Sequence, residues 1–403
     1  MLTSSQQTAI AGIGETDIGR LPDEDSLSLH VKAAKLAIDD AGIDKHEIDG
    51  LLTSGSGTMD NIRHHMVVGE QLGLHCKALS DTLRTGGQSW GHGLQLAQWA
   101  VQSGRCKAVL LVGGDNQLSN MRPGGTLRTY ASRGAHSLEF EIPFGAHVPG
   151  IYAMVAARHM HEFGTTSEQL AAIAVACRKH AGLNPKARKR EPITIEDVVT
   201  SRMVASPLHL LDCSVVGDGG AAVIVTSLER ARDLKAKPVR MLGLGQAQSY
   251  YYMGFLAGAV GQARDRKPDF DLVRTVQKEA AAQAFAEAGV TPADIDVAQL
   301  YDSFTITVLL QLEDLGFCKK GEGGAFAEGG RLELGGELPI NTYGGMLSCA
   351  HTGTSGGLHH FIEAARQLRG ECGPRQVRDA QVAIATNVSA VASNHALAIL
   401  GRD

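Results

Sequence analysis

The chain has 403 residues, 43% hydrophobic and 20% charged, and this length predicts two or three domains that each bury a core. Its net charge of -5 excludes a general nucleic-acid surface, and its seven cysteines form no CxxC pair that would indicate a zinc ribbon. Without a secretory leader or an apolar run of membrane-spanning length in the sequence, we expect a cytoplasmic protein with no membrane span.

The first part of the chain alternates between strand and helix patterns. Residues 8–16 are predicted to be a strand, residues 26–43 an amphipathic helix, and residues 49–55 a second strand. A glycine-rich turn and helix follow at 84–104, with a strand at 108–114. Such alternation is typical of βαβ units, and it predicts a mostly parallel sheet.

A long insertion interrupts this pattern between about residues 117 and 212. It begins as a loop punctuated by glycine and proline and continues with helical runs at 151–163 and 167–180. Insertions of this length in a regular α/β unit often form ligand walls. A strand pattern returns at 218–227.

The two parts of the chain share an internal repeat. The segments 37–52 and 284–300 both carry Ala-Gly, then Ile or Val, then Ile-Asp at the same spacing. Repeats this far apart suggest two similar domains packed face to face, since solenoid repeats are much shorter. We place the boundary in a charged segment, which divides the chain into residues 1–235 and 236–403.

The glycine-rich turn at 84–104 has a counterpart at 344–360, which carries His351 towards a predicted helix and a strand at 380–388. Glycines such as Gly353 allow turn conformations that other residues rarely adopt. A helix beginning after such a turn presents unsatisfied amides, which can hold a developing negative charge. Both turns are therefore candidate parts of an active site.

Several segments of the sequence resemble the thiolase superfamily, in particular its sterol-carrier-protein-type thiolases or lipid-transfer proteins. These segments are FGTTSEQLAAIAV (163–175), Asn-Pro (184–185), SRMVASPLHLLDCSVVGDGGAAVIV (201–225), YDSFT (301–305), GEGG (321–324) and LPINTYGGMLS (338–348). The resemblance covers nearly the whole chain. It implies an α/β fold with two βαβαβαββ halves in a five-layered αβαβα sandwich, an insertion that helps to bind coenzyme A, and a homodimer.

The motifs of the resemblance depart from those of thiolases at the catalytic positions. The nucleophilic cysteine position of the first half falls at Gly87, and the loop 386–394 lacks the final catalytic cysteine. The HDCF motif reads YDSF, with Tyr301 in place of histidine, whereas the GHP motif reads AHT and keeps His351. Since glycine cannot be a nucleophile, covalent thiolysis by the usual route is not expected.

Steroid side-chain aldolases of the same superfamily show a similar pattern. They have lost the nucleophile, carry a tyrosine at the HDCF position, and work with a small partner made of an OB-fold and a zinc ribbon. At the position of His351 they carry a second tyrosine. The resemblance therefore implies carbon-carbon cleavage of a β-hydroxyacyl-CoA, with a steroid or aromatic side chain, by retro-aldol chemistry.

Retro-aldol cleavage needs a base, an acid and donors for the thioester enolate, but no covalent intermediate. Tyr301, His351 and His147 are the candidate catalytic residues, and the turns at Gly87 and Gly353 are candidates for holding the oxyanion. The chain is expected to bind no metal and no cofactor of its own, with coenzyme A entering as part of the substrate. Which residue is base and which is acid stays open.

Two other functions remain open at this stage. Cys349 lies two residues before His351 and could serve a thiolase or acetyl-CoA acyltransferase as a displaced nucleophile. The chain could also be a catalytically silent acyl-CoA or lipid-binding subunit. The pair His64 and His65 is interpreted as polar loop residues, and Tyr343 and the tyrosines at 250–252 either pack in the core or wall an apolar substrate.

Overall fold

The structure is a computed structural model that describes residues 7–59, 61–120, 148–249 and 271–403. His147, the tyrosines at 250–252 and most of the loop predicted before residue 148 lie outside the described residues.

The strands of the described residues form a nine-stranded sheet and a small hairpin. They are β1 Thr8–Glu15, β2 Gly50–Ser54, β3 Leu79–Leu83, β4 Ala108–Asp115, β5 Met203–Ala205, β6 Leu208–His209, β7 Gly219–Ser227, β8 Val239–Gln248, β9 Val297–Gln299, β10 Val382–Ser389 and β11 Asn394–Arg402. The sheet order is β3-β2-β4-β7-β1-β8-β11-β10-β9, and β5 pairs with β6. Apart from β3, the order is symmetric about the β1–β8 pair, so the sheet consists of two similar halves.

The prediction of a mostly parallel sheet is wrong. β2 pairs in parallel with β3 and β4, and β9 with β10, but the other five pairs of the large sheet are antiparallel. β10 and β11 are joined by a four-residue turn, and a connection that short can only join antiparallel strands. Each half therefore contains a parallel βαβ unit extended by antiparallel strands.

The helices of the described residues cover both faces of each half. They are α1 Ser26–Ala41, α2 His64–Leu72, α3 Ser89–Gln102, α4 Gln117–Asn120, α5 Val148–Phe163, α6 Ser167–Gly182, α7 Ile195–Val199, α8 Leu228–Arg232, α9 Gln277–Ala288, α10 Thr305–Asp314, α11 Gly323–Ala327 and α12 Leu358–Arg369. The predicted helices agree with these bounds to within a few residues. The expected boundary near residue 235 falls between α8 and β8 and stays a prediction. No helix in the described ranges is both long and apolar enough to cross a membrane.

Two helices, α3 and α12, lie at the centre of the molecule. Both contact strands of both halves, whereas α1 packs on β1, β4 and β7, and α9 packs on β8 and β11. The apolar side chains of α3, such as Trp90, Leu94 and Val101, recur at helical spacing and share one core with Leu358 and Phe361 of α12. The order of layers is therefore helix, sheet, paired helices, sheet, helix, as the resemblance implied.

A Gly-x-Gly pair in the first strand of each half explains why the outer helices pack so closely. A Cβ atom built on Gly14 of β1 would lie 2.2 Å from the Ala33 carbonyl oxygen of α1. A Cβ atom on Gly245 of β8 would lie 1.9 Å from the Ala280 carbonyl oxygen of α9. Because both distances are far below van der Waals contact, only glycine lets helix and strand approach in this way.

Candidate active site

The starts of the two central helices are joined by one buried side chain, Asn387 of β10. Its Oδ1 accepts a hydrogen bond from the Gly91 amide of α3 at 3.1 Å, and its Nδ2 donates to the Gly357 carbonyl, which precedes α12, at 3.1 Å. The Trp90 indole of α3 donates to the Thr354 carbonyl at 2.7 Å. The two glycine-rich turns found in the sequence therefore meet at the same place.

We expect Asn387→Leu, which keeps the side-chain shape but removes both polar groups, to lower the free energy of unfolding by about 1–3 kcal/mol. The loss arises because a buried amide and a buried carbonyl lose their partner. Urea unfolding of the variant measures the loss. Asn120→Ala, at an exposed position, is the matched control, and equal stability of Asn387→Leu and the wild type would refute the joining role.

Tyr301 is fixed by its backbone and by its ring. Its amide donates to Thr386 Oγ1 at 2.9 Å, and its carbonyl accepts from Gln311 Nε2 at 2.7 Å. The ring stacks on His360 of α12, with centroids 5.7 Å apart and planes 27° apart. Elements of one half therefore hold the phenol in a single direction.

The Tyr301 hydroxyl points at His351. The Oη and Nε2 atoms lie 3.5 Å apart, which is the outer limit of a hydrogen bond, and the rings meet edge to face. His351 is held by its backbone, which donates to the Val215 carbonyl at 2.6 Å and accepts from the Gly217 amide at 3.0 Å. His351 lies seven residues before α12, so the turn that carries it is longer than the sequence suggested.

Burial lowers the pKa of His351 below its ordinary value of 6.5. A hydrogen bond to its own backbone and the charges of Asp302 and Asp115 act in the opposite direction but do not cancel this effect. The imidazole is therefore neutral near pH 7, with a lone pair that can accept a proton.

Asp302 was not singled out from the sequence. Its carboxylate is fully buried and accepts from the Met346 and Leu347 amides at 2.8 and 3.0 Å, and His360 Nε2 lies 3.3 Å away. A Cβ atom on Gly345 would lie 2.0 Å from Asp302 Oδ2. The acidic residue directly after Tyr301, together with the later glycine pair, was the sequence signal for this contact.

A cavity of about 1320 Å³ opens in front of the pair. Tyr301, His351, Gly87 and Gly353 all line it. The lining also includes apolar and aromatic side chains that the sequence did not indicate, among them Leu83, Val148, Tyr152, Phe304 and Val391. The described parts of the two predicted catalytic motifs and of both glycine turns therefore share one cavity.

Only glycine fits at residue 353, which lines this cavity. Its φ is +59°, a left-handed conformation, and a Cβ atom there would lie 2.5 Å from Asp115 Oδ2. Asp115, at the end of β4, also accepts hydrogen bonds from the Gly57 amide at 2.8 Å and Ser56 Oγ at 3.1 Å. The buried Asp115 carboxylate therefore binds the loop of the first half and lies directly against the turn that follows His351.

Cys349 does not line the cavity. Its side chain is fully buried against Ala181, Ala187 and Tyr343, and Asn184 Nδ2 lies 3.7 Å from the sulfur. Burial, and next the charge of Glu15, raise the pKa of the thiol well above its ordinary value. Such an environment favours an inert thiol, although the role of Cys349 as a displaced nucleophile stays a prediction.

Tyr343 belongs to the same buried cluster, and its hydroxyl lies 3.4 Å from His360 Nε2. The core interpretation of this tyrosine agrees with the structure.

The interpretation of His64 and His65 as loop residues is wrong, because both begin α2. His64 is fully buried, and its Nε2 lies 3.1 Å from Nε2 of His30. His65 Nδ1 contacts Thr82 Oγ1 at 2.9 Å. No group of three or more potential metal-binding side chains occurs in the described part of the chain.

These features define the class of the protein. Two similar α/β halves enclose paired central helices, whose glycine-rich starts meet at a cavity with a tyrosine and a histidine. This is the thiolase fold; that Gly87 stands at the position of the thiolase nucleophile stays a prediction.

Comparison with known proteins agrees with this class. Residues 260–402 match the family model described as Thiolase C-terminal domain-like. The chain is 39% identical to a steroid side-chain-cleaving aldolase of Thermomonospora curvata, over 90% of both chains. It is also 39% identical to a 17-hydroxy-3-oxo-4-pregnene-20-carboxyl-CoA lyase of Mycobacterium tuberculosis, over 91% of this chain and 92% of the relative.

A solved structure, an Ltp2-ChsH2(DUF35) aldolase, superposes with a TM-score of 0.86 at 35% identity, over 100% of this chain and 99% of that one. The chain therefore belongs to the thiolase superfamily, in the branch of the sterol-carrier-protein-type thiolases and the steroid side-chain aldolases.

Proposed function

We propose that the protein is an acyl-CoA lyase that cleaves a carbon-carbon bond of a β-hydroxyacyl-CoA by retro-aldol chemistry. The observation that carries this proposal is the Tyr301–His351 pair, 3.5 Å apart at the cavity, beside a glycine at residue 87. Cys213 also lines the cavity, but burial raises the pKa of its thiol to about 12. A thiol with that pKa stays protonated near pH 7 and is a weak nucleophile.

The properties of the two side chains fit the two proton transfers of the reaction. The neutral His351 takes the proton of the β-hydroxyl group, whose oxygen then forms a carbonyl as the Cα–Cβ bond breaks. The electron pair of that bond passes into the thioester enolate, and the Tyr301 hydroxyl gives its proton to the enolate carbon. The products are a ketone or aldehyde and a shortened acyl-CoA.

The short distance between the two groups also allows the site to reset. After one turnover His351 carries a proton and Tyr301 has lost one. Transfer from Nε2 to Oη across the 3.5 Å gap restores both groups without net consumption of protons. His147, outside the described residues, stays a further candidate in this scheme.

The size and the lining of the cavity fit a bulky, apolar acyl group. Its volume of about 1320 Å³ exceeds the roughly 300–1,000 Å³ typical of small-ligand sites, and much of its wall is aliphatic or aromatic. Relatives at 39% identity are named for steroid substrates. We therefore propose a steroid-like side chain carried by coenzyme A as the substrate, in a cytoplasmic enzyme.

Two partners are proposed. The similar solved structure is an Ltp2-ChsH2(DUF35) aldolase, which contains a second protein. This supports the proposal that the present chain also works with a small partner made of an OB-fold and a zinc ribbon. A homodimer is supported by β3, which is an edge strand among the described residues, and by three exposed apolar side chains: Ile62 just before α2, Met66 on α2 and Trp99 on α3. Purification of the protein with its partners tests both.

Product analysis tests the function. The protein, co-expressed with any small partner that copurifies, is incubated with a steroid-like β-hydroxyacyl-CoA. We expect a ketone or aldehyde and a shortened acyl-CoA in equal amounts by mass spectrometry, with no acyl adduct on the intact protein. Cys349→Ala should keep the rate within about twofold.

Two outcomes would favour the alternatives. An acyl group on any cysteine, lost in Cys349→Ala, would indicate a thiolase or acyltransferase. Tight acyl-CoA binding without products, in wild type and Tyr301→Phe alike, would indicate a silent acyl-CoA-binding subunit.

A further inference from the structure

Gly87 has no room for a side chain, although its backbone conformation would permit one. Its φ is not in the left-handed region, in contrast to that of Gly86, which is +72°. A Cβ atom on Gly87 would lie 2.4 Å from the Tyr301 Oη, 2.7 Å from Tyr301 Cζ and 2.3 Å from the Val388 carbonyl oxygen. Real Cβ atoms essentially never show contacts below 3.0 Å, so something would have to move.

Neither neighbour of Gly87 can move easily. The Val388 carbonyl belongs to β10, where Val388 is paired with His395 of β11. The Tyr301 ring is stacked on His360, and its backbone is fixed by Gln311 and Thr386. A side chain at residue 87 must therefore turn the phenol away from His351 or push the start of α3 off the sheet.

We propose that Gly87 is a positioning residue that acts through Tyr301. The tyrosine hydroxyl occupies the space that a side chain at residue 87 would fill. A side chain at residue 87 and the tyrosine at residue 301 exclude each other in this cavity, because a Cβ atom at 87 would overlap the phenol. With tyrosine at residue 301, the site can therefore cleave its substrate only without a covalent intermediate on residue 87, because a thiolate at 87 and the phenol would need the same volume. This inference rests on the proposed lyase function for its catalytic consequence, but not for its geometry.

A double-mutant cycle tests the proposal. In the wild-type background, Gly87→Ala should lower kcat about 100-fold and change KM less than about threefold. In the Tyr301→Phe background, which already lacks the hydroxyl, Gly87→Ala should lower kcat less than about threefold further. Gly69→Ala, on α2 with only an ordinary 3.4 Å contact, is the control and should keep wild-type activity.

A second readout does not depend on activity. Gly87→Ala should lower the melting temperature more in the wild type than in Tyr301→Ala, where the clash with the phenol is removed. The contact between the added methyl group and the Val388 carbonyl is present in both backgrounds, so its effect on the melting temperature cancels from this comparison. Wild-type kcat in Gly87→Ala, or equal losses of kcat and of melting temperature in both backgrounds, would overturn the proposal. Full activity of Tyr301→Phe alone would instead refute the lyase mechanism, and the melting comparison would still decide the steric claim.

Discussion

Tyr301→Phe is expected to lower kcat about 1000-fold and to leave KM within about threefold of the wild type. A positioned general acid contributes roughly 100- to 10,000-fold to a rate, and phenylalanine removes only the hydroxyl. The ring can still stack on His360, and the backbone bonds to Thr386 and Gln311 do not involve the side chain. The loss should therefore appear in the chemical step and not in folding or substrate binding.

The measurement is a steady-state assay of the shortened acyl-CoA, with the melting temperature recorded for each variant. Tyr343→Phe is the matched control, because the Tyr343 hydroxyl lies in a buried cluster and does not line the cavity. It should keep kcat within about threefold. A Tyr301→Phe enzyme with wild-type kcat would show that another group protonates the enolate.

The fold could be predicted from the sequence where a pattern was local. The helix at Ser26–Ala41 begins at the Asp25 cap and ends at Gly42, whose left-handed φ of 66° is the usual glycine ending. The sheet direction could not be predicted in this way, because pairing is set between distant segments. The β1–β7 pair, which joins residues near 10 to residues near 225, has no local signal.

The site was predictable where its residues stand in motifs, and less so where their role depends on tertiary contacts. Tyr301 and His351 were found from their motifs, and the fold brings them to 3.5 Å. Asp302 and Asn387 were not singled out, since a carboxylate or an amide becomes a structural centre only when distant amides converge on it. His64 was misinterpreted because its burial depends on His30 of another helix.

Three buried histidines predict that the protein loses stability in mild acid. His30, His64 and His395 are almost fully buried, and burial lowers the pKa of each from 6.5 to about 4. His30 and His64 also share one hydrogen bond between their Nε2 atoms, which fails if both rings are charged. All three are therefore neutral in the native protein over a pH range in which the unfolded chain binds protons.

The direction of the pH effect follows from this difference. Since the unfolded state binds more protons between pH 6.5 and about 4, the free energy of unfolding falls as the pH falls through that window, then levels off for these groups. Each shift corresponds to about 3 kcal/mol, so the three together amount to several kcal/mol, comparable with the roughly 5–15 kcal/mol stability of a typical protein. Burial raises the pKa of Glu15, but Arg366 and His359 together lower it well below its ordinary value. Protonation of Glu15 therefore lowers the free energy of unfolding further at still lower pH.

Urea unfolding at intervals from pH 8 to pH 4.5 measures this loss, which should begin near pH 6.5. His395→Gln removes one titrating ring, and its amide can still reach the Ala392 carbonyl that His395 Nε2 contacts at 2.9 Å. Its stability should therefore fall less steeply with pH, whereas His46→Gln, at an exposed position, should follow the wild type. A free energy of unfolding that stays constant from pH 6.5 to 4.5 would show that these rings take up protons inside the native protein, and it would refute the prediction.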